Sequence, residues 1–104
     1  MSSTPNKRSM RPVHPGEVLR EEFLVPLAMS ANRMAQALEI PTNRITEIVA
    51  ERRGVTADTA LRLARALGTS ADFWMNLQKT YDLRKAELEL GNTLRGIKPL
   101  RVAG

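Results

Sequence analysis

The chain of 104 residues contains no cysteine. That excludes disulfide bridges, thiolate-ligated zinc and a cysteine nucleophile, and it suits a reducing compartment. A single histidine, His14, leaves no multi-histidine metal site, so the sequence offers neither a metal nor a cofactor to carry chemistry. Aromatic residues are scarce, with one Trp, one Tyr and two Phe. Apolar residues come in short groups, with no run near the roughly 20 residues that a membrane span needs, and the polar N-terminus has no signal-peptide core. The expected location is therefore the cytoplasm. No alternating β-branched run bounded by hairpin turns occurs, so strands are not expected. Also missing are a Gly-x-Ser-x-Gly element and a paired-carboxylate motif around His14, which leaves the chain without a catalytic constellation. We expect no catalytic residue and no enzyme.

What is present is charge, unevenly placed. The net +5 suggests nucleic acid, but all eleven acids lie within residues 13–94, where they meet ten Lys/Arg for a net charge of −1. The excess belongs to the ends, through Lys7, Arg8 and Arg11 at one and Arg95, Lys98 and Arg101 at the other. Residues 1–12 and 92–104 read as flexible basic tails around a domain at 13–91. A near-neutral body of this kind meets DNA through a local patch, for which Arg44, Arg52, Arg53, Lys7 and Arg8 are the candidates.

The punctuation predicts five helices. Pro15 suits a first helical position, Val18, Leu19, Phe23 and Leu24 fall at helical spacing, and Pro26 ends a helix of about 15–25. Ser30 caps a second helix to about Leu38, and Pro41 stops its continuation. Thr42 caps a third, about 43–52, with Gly54 placed to end it in a left-handed conformation. Thr56 caps a fourth, whose apolar face is Ala60, Leu63, Ala64 and Leu67 with Leu61 widening it, until Gly68. Ser70 caps a fifth over ADFWMNLQKTYDLRKAELEL, ending at Gly91 and Asn92. Phe73, Trp74, Leu77 and Tyr81 lie on one side of it and suit a core or a subunit interface, and we assign them to a dimer contact.

Ser30 to Arg53 is the richest stretch. Two short helices joined by a tight turn have apolar or small residues at Met34, Ala35, Leu38, Ile40, Ile45 and Ile48, the positions a close helix crossing needs. That is the form of a helix-turn-helix that reads DNA. Outside lie Thr42, Asn43, Arg44, Thr46, Glu47 and Arg52, hydrogen-bonding types suited to base edges and phosphates, with Arg53 just beyond. Glu47 and Glu51 would repel phosphates unless they accept from cytosine amino groups or pair with Arg44, Arg52 or Arg53. Arg33 and Gln36, on the first helix of the pair, are placed to meet the DNA backbone. Glu39 stands in the turn where glycine is commoner, at a cost of about 1 kcal/mol if the backbone there is left-handed.

Around these residues the chain resembles the HigA family of antitoxins, part of the wider XRE helix-turn-helix group. The likeness covers about residues 11–85 and rests on HPGEVLREEFL, on PTNRITEIVAERRGVTADTALRLARALGTS and on DFWMNLQKTYDL. It implies an all-α, lambda-repressor-like DNA-binding fold and a homodimer that represses its own operon at a palindromic operator. It also implies a protein partner, a HigB-type toxin that cleaves messenger RNA on the ribosome and is neutralised by this chain. The alternative is a stand-alone helix-turn-helix repressor with no toxin partner.

Overall fold

The computed structural model describes residues 11–101, and among these every regular element is a helix. The first turn, α1 (Pro15–Val18), is closed at its start by His14, whose Nδ1 accepts the Gly16 N–H at 2.8 Å. It runs directly into a π-helical segment, Leu19–Leu24, finished by the Val25 N–H donating to the Arg20 carbonyl five residues back. Then follow α2 (Ala31–Leu38), α3 (Thr42–Val49), α4 (Ala57–Leu67), α5 (Ala71–Leu90) and the short α6 (Asn92–Gly96). The five expected helices are present in order. The sixth is a turn within the stretch read as a basic tail, and all its residues are exposed. Lys7 and Arg8 lie outside the described residues.

Capping follows hydroxyl chemistry at two of the expected places. Ser30 accepts the Arg33 N–H and Ser70 the Phe73 N–H, each at 3.0 Å. Thr56 occupies the cap of α4 with extended backbone, but its side chain makes no capping bond. Thr42 is the first residue of α3, not its cap. Pro41 takes the cap position with φ −61° and ψ 144°, the extended geometry that a proline ring favours.

Two helix ends differ instructively. Glu39 has φ 59° and ψ 46°, the left-handed conformation its place in the turn demands, and the Ile40 N–H reaches back to the Ala35 carbonyl at 3.0 Å. At the end of α3 the left-handed residue is Glu51, with φ 63°, and the Arg52 N–H closes on the Glu47 carbonyl at 2.9 Å. Gly54 does not play that part. Its missing side chain makes room for Gln78, since a Cβ there would stand 2.8 Å from Gln78 Oε1, the atom that accepts the Val55 N–H.

The core gathers Leu19, Leu24, Met34, Ala35, Leu38, Ile45, Ile48, Val55, Ala60, Leu63 and Trp74, with Val18, Phe23, Ile40 and Leu77 packed against it. Leu61, expected to widen the α4 face, points outward and is 63% exposed. α2 packs on α3, α4 on both α2 and α5, and α1 touches both α3 and α5. α1 and α3 approach closely at Gly16, where a Cβ would overlap the Ile48 carbonyl oxygen.

Candidate nucleic-acid interface

The outer face of α3 carries the polar residues that the helical period places there. Ile45 and Ile48 are fully buried against the core, which turns Asn43 and Thr46 to solvent and leaves Thr42, Arg44 and Glu47 half-buried at the edges. The Thr42 hydroxyl donates to Asn32 Oδ1 at 2.6 Å, joining the N-terminal ends of the two helices of the motif. The Thr46 hydroxyl donates back to the Asn43 carbonyl at 3.2 Å. Arg33 and Gln36 are exposed on α2, and Arg52 and Arg53 are exposed just past α3. Among the described residues, the structure thus brings the candidates from Arg33 to Arg53 to the surface of one helix pair and its exit loop.

Carboxylates thread this surface and are paired. Arg53 meets Glu47 at 2.8 Å, which answers the concern that Glu47 would face phosphate uncompensated. Glu51 lies 3.8 Å from Arg20, a partner outside the motif that spacing alone did not suggest. Arg44 Nη1 donates to Asp58 Oδ1 at 3.1 Å, and the same oxygen accepts from Arg62 Nε at 2.7 Å. The Arg62 guanidinium holds the Asp58 carboxyl below its ordinary value. These exposed pairs do little for stability, but they set where each guanidinium points.

Two arginines outside the motif hold it in shape. Arg62 of α4 donates through Nη1 to the Leu38 carbonyl at 2.8 Å and the Glu39 carbonyl at 3.3 Å, satisfying acceptors that α2 leaves open as it ends. Arg20 donates to the Val49 carbonyl at 2.6 Å and does the same for α3. Neither was visible in the sequence, where they read only as surface cations 20 to 30 residues away. Asn32, Arg20, Asp58 and Arg62 are therefore the site residues that sequence reasoning missed. The i,i+4 spacing of Asp58 and Arg62 was the one available signal.

The proposed dimer residues divide. Trp74 is 0% exposed within the single chain, its ring between Phe23 and Phe73 and its indole N–H donating to Thr69 Oγ1 at 2.8 Å. That placement makes it a core residue and takes it out of any subunit contact. Leu77 packs on the core, and Tyr81 sets its ring edge-on to His14 with centroids 4.8 Å apart. Phe73 is 38% exposed and remains available. Among the described residues no group of three or more His, Asp or Glu could hold a metal ion, and no helix is long and apolar enough to cross a membrane.

A tight two-helix crossing with a polar second helix defines a helix-turn-helix domain, and the helix-turn-helix family matches residues 19–74. Virulence-associated protein I of Dichelobacter nodosus is 53% identical over 84% of this chain and 81% of its own. Antitoxin HigA-1 of Vibrio cholerae is 35% identical over 93% of this chain and 91% of its own. A solved structure described as the Pseudomonas aeruginosa antitoxin HigA with the higBA promoter superposes with a TM-score of 0.84, at 46% identity, over 88% of this chain and all of that one. The chain belongs to the HigA antitoxins of the helix-turn-helix family, a family of regulators and not of enzymes.

Proposed function

We propose that this chain is an operator-binding antitoxin. It represses its own operon as a homodimer and neutralises a HigB-type messenger-RNA endonuclease. The observation that supports DNA reading is the N-terminal end of α3, where Thr42, Asn43 and Arg44 stand together at the surface while Ile45 anchors the helix beneath them. The structural relative described with a promoter has the same fold and close to half the residues in common. Arg44 is the proposed base reader, Asn43, Thr42 and Thr46 are its neighbours in the groove, and Arg33, Gln36, Arg52 and Arg53 meet phosphates. Glu47 acts through Arg53. Two copies of α3 would sit about 34 Å apart, one helical turn of DNA. The toxin partner and cytoplasmic residence rest on family membership.

Mobility-shift titration of the chain's own promoter DNA, with and without the product of the neighbouring gene, tests this reading. We expect binding that Arg44→Ala weakens by about 1–3 kcal/mol at one fixed salt concentration. Equal affinity of the two proteins sinks the role of Arg44. Promoter binding with no toxin-type gene alongside returns the stand-alone repressor.

A further inference from the structure

One chain of contacts runs from the turn of the motif to its proposed base reader. Arg62 is pinned at three acceptors, the carbonyls of Leu38 and Glu39 and Oδ1 of Asp58. Asp58 lies in the first turn of α4, where the positive end of the helix favours a carboxylate, and its Oδ1 takes a second bond from Arg44 Nη1. The position of Arg44's guanidinium is thereby referred to the backbone of α2 through two side chains of α4. We propose that Asp58 is a positioning residue for base reading, which fixes the direction in which Arg44 enters the groove. This rests on the reading of Arg44 as the base contact.

Two physical effects follow from the pairing. An unrestrained arginine must lose its rotamer freedom on binding, whereas a held one has lost it already, and one occupied N–H leaves four donors of the fork for a base edge. The carboxylate also offsets the arginine's charge beside DNA, which lowers attraction to any phosphate while keeping the directed hydrogen bonds. Both effects raise discrimination between sequences more than they raise affinity. Stability is not the purpose of the pair, because the two side chains are 30% and 57% exposed.

The test uses duplexes carrying 20 randomised base pairs, selected at one salt concentration by the wild type, D58N, R44A and R44A/D58N, together with titration of a mixed-sequence duplex and thermal melting. We expect R44A to lose base preference at one position per half-site. D58N should flatten the same position about tenfold and no other, bind the mixed-sequence duplex at least as well as wild type, and melt within a few degrees of wild type, the cost of losing an exposed carboxylate at a helix N-terminus. The double variant should be no flatter than R44A. A D58N motif identical to the wild-type motif overturns the proposal, whether or not mixed-sequence affinity rises or melting falls. If R44A is flattened and D58N is not, Asp58 alone fails. If R44A keeps its preference, the reading of Arg44 fails and takes this proposal with it.

Discussion

At the scale of single residues, two positions near the start of the first helix control how α1 meets α3. Gly16 has no room for a methyl group against the Ile48 carbonyl. Gly16→Ala is therefore expected to destabilise the fold by about 1–3 kcal/mol, the cost of overpacking a tight contact, read as a lower urea midpoint with unchanged slope. His14 beside it is buried and must stay neutral at Nδ1 to accept the Gly16 N–H. Burial depresses its pKa and Lys85 adds to this, while Glu51 and Asp82 oppose it. A depressed histidine binds fewer protons in the folded state than in the unfolded one. Its contribution is present above the ordinary value near 6.5 and is lost as pH falls through the folded value. The urea midpoint should then drop between pH 7.5 and pH 5.5, and His14→Asn, which keeps a capping acceptor that does not titrate, should flatten the difference.

At the scale of elements, α5 has two halves with different duties. Its first half supplies Trp74 and Leu77 to the core, where a fully buried tryptophan is worth about 3–5 kcal/mol against alanine. Its second half leaves Leu83 and Leu88 each 60% exposed and Leu90 43% exposed. The aromatic cluster drew the dimer contact to the first half because large apolar side chains at helical spacing look alike in sequence, whether a core or a partner buries them. The second half of α5 is a further exposed apolar stretch on which a dimer contact can be tested. The pair Leu83→Glu and Leu88→Glu should yield a monomer by sedimentation at concentrations where the wild type is a dimer. Melting should lose its dependence on protein concentration, because association of folded protomers stabilises them by mass action, and operator affinity should fall with the loss of the second half-site. Helix existence was legible from serines, prolines and glycines, and most of the core from the 3.6-residue period. The end of α3 was not. Gly54 was read as a left-handed stop, but Glu51 adopts that conformation and Gly54 serves the approach of Gln78, a residue 24 positions away.

For the whole molecule, the body's near-neutral charge means that DNA binding depends on a few local cations. Arg44 and Arg53 are already paired with Asp58 and Glu47, which reduces their pull on phosphate. Removing residues 1–10 takes away Lys7 and Arg8, two cations per protomer and four per dimer. If they touch phosphates, the slope of log affinity against log salt should become shallower by up to about 3.6, at 0.9 per contact. An unchanged slope in titrations across a salt series would leave the tail without a part in binding.

The order of helices, the buried faces of the helix pair and the polar outer face of α3 were determined by the sequence alone. They depend on neighbours three and four residues apart, and local spacing expresses them completely. Only the tertiary structure decided that Trp74 belongs to the core, that Arg20 and Arg62 close the ends of the two motif helices, and that Asp58 holds Arg44. These partners stand 14 to 29 residues apart or, for Trp74, on different helices, so no local period records them. Which carbonyl an arginine reaches, and which carboxylate pairs with Arg44, is settled when the π-helical segment and α4 pack against the motif.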